Sequence, residues 1–95
     1  MRIKSRENPR PFRPVSPGEI LRAELEARGW SQKGLAERIS RPYQAVNEII
    51  RGRKQITAAT ALALSSAMGT SAEFWMNLES NYRLDIARRR SKPAA

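Results

Sequence analysis

Residues 32–51 read QKGLAERISRPYQAVNEIIR, and their pattern decides the fold. Leu35, Ala36 and Ile39 fall on one face at helical spacing, and Val46, Ile49 and Ile50 do the same further along. One helix cannot carry both sets, because Pro42 pushes Arg41 away from helical angles. The stretch therefore reads as two short helices, over 32–39 and 43–51, joined by a turn around Ser40 and Arg41, with Gly52 closing the second. With Gln32 as the first of twenty positions, a helix-turn-helix wants apolar residues at the fourth, eighth, fifteenth and eighteenth, and a small one at the fifth. Here they are Leu35, Ile39, Val46, Ile49 and Ala36. A larger side chain at 36, where the two helices cross, would pry them apart. Ser40 stands where glycine usually turns and Arg41 where an apolar side chain usually packs, so Pro42 is expected to supply the turn. A left-handed Ser40 carries about 1 to 2 kcal/mol of strain. Gly34 inside the first helix costs about 1 kcal/mol against alanine, which predicts a close neighbour there.

Opposite the apolar face of the second helix lie Gln44, Asn47, Glu48 and Arg51, with Tyr43 at its leading edge. Gln and Asn can bond bidentately to adenine and Glu can accept from the cytosine amino group, so Tyr43, Gln44, Asn47 and Glu48 are the candidate base readers. Gln32 and Lys33 open the preceding helix, where free backbone N–H groups favour a phosphate. Arg41, Arg51, Arg53 and Lys54 complete the candidate phosphate set. A polar helix face alone is more often merely solvated. Combined with helix-turn-helix spacing and a basic chain, it points to duplex DNA.

The length of 95 residues fits one small domain, and the whole chain is basic: 18 Lys and Arg against nine Asp and Glu, a net charge of +9. Residues 1–14 contribute +4, 15–80 only +1, and 81–95 another +4. A basic, proline-rich arm over 1–14, a folded domain over 15–88 and a basic tail over 89–95 are expected. Histidine and cysteine are absent, which removes the usual general base, the nitrogen and thiolate metal ligands and any thiol nucleophile. The remaining carboxylates are scattered, so neither an enzyme nor a cofactor or metal site is expected. No apolar run is long enough for a membrane span, and the chain reads as soluble and unexported, with a cytoplasmic site of action.

Three more helices bring the total to five, with no convincing strand, so the fold class is all-α. The first, over 17–28, has a Ser16 cap, Pro17 at its first position, Glu19 completing a capping box and Gly29 as its stop. The fourth starts at Thr57, is alanine-rich and ends at Gly69; its small side chains suggest the central, most buried position. Thr70 and Glu73 suggest a second capping box for a fifth helix that runs to about Arg88. Phe74, Leu78, Tyr82 and Ile86 stripe it, and Trp75 and Leu84 widen its apolar surface beyond one small core. The surplus predicts a homodimer through Trp75, Leu78, Tyr82 and Leu84.

The stretches SPGEILRAELEARGWSQKGLAERI and VNEIIRGRKQITAATALALSSAMGTSAEFWMNLESNYRL resemble the XRE-type helix-turn-helix antitoxins of the HigA family, also called VapI-like, over residues 15–88. RGRKQIT and GTSAEFWMNLE are the most specific parts of the likeness. It implies a homodimer that binds double-stranded operator DNA of its own operon, represses it, and neutralises a HigB-type toxin, an RNase that cuts mRNA on the ribosome. Such a toxin must approach RNA and is expected to be basic, so an acidic surface should meet it; Glu19, Glu24 and Glu26 of the first helix are the candidates. A stand-alone regulator of the same fold without a toxin, and a module whose basic ends bind RNA or protein, are the alternative readings.

Overall fold

The computed structural model describes residues 14–91, so the arm before Pro14 and the last four residues lie outside it. Five helices follow in order: α1 (Pro17–Arg28), α2 (Gln32–Arg38), α3 (Tyr43–Ile50), α4 (Ala58–Met68) and α5 (Ala72–Ser91). No strand occurs among the described residues, and the all-α expectation holds. Helix ends agree with the sequence reading to within a few residues. The largest difference is the end of α5, which continues through Arg89 and Arg90 to Ser91 instead of giving way to a tail. Arginine is a good helix former, and positive charge in the last turn complements the helix dipole.

Local chemistry accounts for most boundaries. At the start of α1 the Glu19 N–H donates to Ser16 Oγ at 3.3 Å while Ser16 N–H donates to Glu19 Oε2 at 3.4 Å, the capping box read from the sequence. The end of α1 takes a left-handed Gly29, with Trp30 N–H donating to Leu25 O at 2.9 Å and Gly29 N–H to Glu26 O at 3.2 Å. The second capping box is corrected. Ser71, not Thr70, caps α5, its Oγ accepting from Phe74 N–H at 3.0 Å, while Thr70 Oγ1 accepts from the Trp75 indole N–H at 2.7 Å. A buried indole needs an acceptor, and Thr70 is spent on it.

Trp75 is fully buried, with 0% of its surface exposed. It belongs to one buried core with Leu21, Leu25, Leu35, Val46, Leu64 and Met68, and the helices pack α1 on α3 and α5, α2 on α3, and α4 on α5. The alanine-rich α4 is not the central helix. Thr60, Ala61, Leu64 and Met68 form its buried face, whereas Ala58, Ala59, Leu62 and Ser66 are exposed. Alanine serves there as a helix former on the open side and as a close-packing residue on the other. Gly34 has no second element against it: a Cβ would meet only Ser31 Oγ, at 3.2 Å. The close approach occurs instead at Gly18, where a Cβ would lie 2.1 Å from the carbonyl oxygen of Ile49 and 2.7 Å from that of Ile50. The first turn of α1 thus rests on the last turn of α3.

This packing makes a contrast that chemical denaturation can read. Gly18→Ala should destabilise the chain by about 3 kcal/mol, since the obstruction is backbone and cannot swing aside. Gly34→Ala should stay within about 1 kcal/mol of the parent. Equal midpoints for the two variants would show that α1 does not press on α3 as described.

Candidate nucleic-acid interface

The orientation of α3 is set by the turn before it. Ser40 adopts φ 57°, the left-handed conformation that glycine usually fills. Its N–H donates to Glu37 O at 3.3 Å and the next, of Arg41, to Ala36 O at 3.0 Å, closing α2 with two reversed bonds. Pro42 then opens α3 in extended conformation, its carbonyl accepting from Ala45 N–H at 3.0 Å. The residues that the helix-turn-helix spacing wanted inside, Leu35, Ala36, Ile39, Val46 and Ile49, are all buried.

With that face inward, Tyr43 and Gln44 are exposed and Asn47 and Glu48 half-buried on the other side. Asn47 Nδ2 donates to Gln32 Oε1 at 3.0 Å, a bond between the first residue of α2 and the middle of α3. A carboxamide has two N–H donors. Giving one to Gln32 leaves Asn47 the other and its Oδ1, the pair an adenine edge requires, and leaves the Gln32 amide N–H groups for a phosphate. Glu48 is engaged within the domain: Gln44 Nε2 donates to its Oε2 at 3.5 Å, and Lys54 Nζ lies 3.8 Å from its Oε1. Lys33, Arg51 and Arg53 are exposed beside these groups.

Arg41 stands differently from the other cations. It is half-buried and its guanidinium donates to Thr60 Oγ1 at 3.0 Å, tying the turn to the first turn of α4. It lines, with Lys54, a cleft of about 300 Å³ whose floor includes Ile39, Val46 and Ile49. The position that usually packs an apolar side chain here uses the arginine stem and a hydrogen bond.

The four residues expected at a dimer interface do not share one surface. Trp75 is a core residue and offers nothing to a second chain. Its stacking partner Phe74, edge-on at 5.0 Å between ring centroids, is the exposed member of that pair. Leu78 and Tyr82 are half-buried along the flank of the core. Leu84 is 47% exposed and, at about 100° per residue, projects from α5 opposite Trp75.

Of the three α1 carboxylates, Glu19 is held in the capping box. Glu24 pairs with Arg28, Oε1 to Nε 3.3 Å, and Glu26 is exposed. Arg28 and Arg38 also approach the Trp30 ring, at 5.4 and 3.9 Å from its centroid. Sequence reasoning missed Glu79, a carboxylate that is only 6% exposed and binds the Ile56 N–H at 3.0 Å. Its position four residues before Arg83 is the only hint the sequence holds, and that pattern usually marks a surface pair. Among the described residues no cluster of acidic side chains could hold a metal ion, and no helix is long and apolar enough to cross a membrane.

Comparison with known proteins places this geometry. Residues 21–75 match the helix-turn-helix family model. An addiction-module antidote protein of the HigA family from Coxiella burnetii superposes with a TM-score of 0.80 at 41% identity, over 84% of this chain and 88% of that one. The chain belongs to the HigA family of helix-turn-helix proteins. Its HigA-family relatives include the Pseudomonas aeruginosa antitoxin HigA, solved with the higBA promoter, which has a TM-score of 0.79 at 42% identity over 82% of this chain and 86% of that one. Virulence-associated protein I of Dichelobacter nodosus is 40% identical over 74 residues, 77% of this chain and 68% of that protein. The chain spans about two thirds of the length of the curated relatives it matches.

The bond between Gln32 and Asn47 can be tested without any ligand. Gln32→Ala and Asn47→Ala should each cost about 1 kcal/mol, and the double variant should cost less than their sum by at least about 0.5 kcal/mol. Additive losses in denaturant melts would mean that the two amides do not meet.

Proposed function

We propose that this chain is a DNA-binding antitoxin that represses its own operon and neutralises a HigB-type toxin. The observation that carries the DNA half is the outer face of α3, where the carboxamides of exposed Gln44 and of Asn47, which Gln32 holds, share the surface with the cations Lys33, Arg51, Arg53 and Lys54. Amides read base edges and cations hold phosphates, and the face has both in one arc. The promoter complex of the Pseudomonas relative supports the same use of the fold. A binding protein of this kind needs no catalytic group, and its place of work is the cytoplasm. Two chains pair through α5, with exposed Leu84 on its outer side supplying apolar contact, and read a palindrome with half-sites one helical turn or a multiple apart.

Gln44→Ala should relax specificity at one or two base pairs by about 1 to 3 kcal/mol, whereas Arg53→Ala should weaken all sequences alike and lower the salt slope by about one per chain. Fluorescence anisotropy on the duplex upstream of the gene, and on single-base variants of it, separates the two. Indistinguishable effects, or one chain per palindrome at saturation, would contradict this division of labour or the dimer.

The toxin half rests on α1. It carries Glu24, paired with Arg28, and exposed Glu26, which lines a cleft with Gln32. Reversing both to lysine should abolish rescue of cells expressing the adjacent toxin while operator affinity stays within about twofold; full rescue by the double variant would remove α1 from the toxin interface.

A further inference from the structure

Glu79 is the single buried carboxylate among the described residues, and what it binds is the backbone of a different region. Residues 51–55, which contain Arg51, Arg53 and Lys54, are all exposed. At its near end this loop is closed by a left-handed Gly52 and by Arg53 and Lys54 N–H groups donating to Glu48 O at 2.8 and 3.2 Å. At its far end the Ile56 side chain enters the core, and the Ile56 N–H donates to Glu79 Oε1 at 3.0 Å. The other oxygen, Oε2, accepts from Arg83 Nε at 2.6 Å, one turn further along α5. Accordingly one carboxylate on α5 fastens the end of the cationic loop, and an arginine on the same helix balances its charge.

We propose that Glu79 is a positioning residue for operator binding: it holds the 51–55 loop at a set distance from α3, so that Arg51, Arg53 and Lys54 meet phosphates while Gln44 and Asn47 meet bases. The inference rests on the DNA-binding reading above. Without the Glu79 bond the far end would be held by the Ile56 side chain alone, and the backbone freedom this leaves would have to be removed on every binding event and subtracted from affinity. A carboxylate suits the task better than a neutral acceptor because charge-assisted bonds are shorter and stronger. Arg83 keeps that negative charge from acting on nearby phosphates. Glu79 itself touches no DNA in this account, and its effect travels only through the Ile56 amide.

Two variants of the full chain separate positioning from mere packing. Glu79→Gln keeps an oxygen that can accept from Ile56 N–H. Glu79→Asp keeps the charge but withdraws the oxygens by about 1.5 Å, out of reach of that N–H. On a labelled duplex from the region upstream of the gene, Glu79→Asp should bind about tenfold more weakly with a salt slope reduced by one or two, and Glu79→Gln should stay within about twofold of the parent. A folded Glu79→Asp with parental affinity and slope, a loss of affinity at unchanged slope, or a Glu79→Gln as impaired as Glu79→Asp would each overturn the proposal. Should Glu79→Asp not fold, hydrogen exchange of the Ile56 amide in the parent decides: further slowing on duplex binding supports it and no change overturns it. A parent chain that binds no such duplex overturns the DNA-binding reading itself, and this inference with it.

Discussion

Everything on the DNA-facing side depends on one constraint, the left-handed backbone at Ser40. Two short helices can cross at Ala36 with their apolar faces together only if the chain reverses within the residues between Arg38 and Tyr43. The reversal is made by two bonds back into α2, from Ser40 and Arg41 N–H. A serine there carries about 1 to 2 kcal/mol of strain that glycine would not. Burial of Ile39, Val46 and Ile49 directly beside the turn, and the Arg41 bond to Thr60, are what hold it. If the turn relaxed, α3 would rotate, Asn47 would leave Gln32, and the amide face would no longer lie in one arc with the cations.

The helix-turn-helix was legible because each of its requirements is local. A small residue at a crossing, apolar residues at fixed spacing and a proline that forbids a continuous helix can all be read from adjacent positions. The capping box at Ser16 is equally local and was read correctly. What escaped the sequence is pairwise and distant. Trp75 looks like surplus apolar surface until Thr70 and the core close around it, after which Ser71 has to cap α5 instead. Leu84, only nine residues on, faces the other way, because nine residues make about two and a half turns. Glu79 carries an ordinary surface residue type, and nothing in its neighbourhood signals that its partner is an amide 23 positions earlier.

The charge distribution has the same layered character. A net +9 says polyanion but not where, and the domain between the basic ends is nearly neutral. The loop after α3 and the start of α2 turn that small surplus into an interface, because they place cations around the face that carries the Gln44 and Asn47 amides. Glu48 sits within this arc with Gln44 and Lys54 as partners. Exposed pairs of this kind are worth little in water, so a phosphate can take Lys54 at small cost. The body thus supplies geometry, and the surface pairs are weak enough to be exchanged.

The central claim is that the outer face of α3, held by Gln32 and the Ser40 turn, is the surface that meets operator DNA. Its most direct test is an amide and side-chain chemical-shift titration of the whole chain with the duplex upstream of its gene. The account predicts that the largest changes fall on Gln32, Lys33, Gln44, Asn47 and Arg53, including the side-chain amides of the first, third and fourth. Changes confined to α1 or to the outer side of α5, with those five residues unmoved, would contradict it.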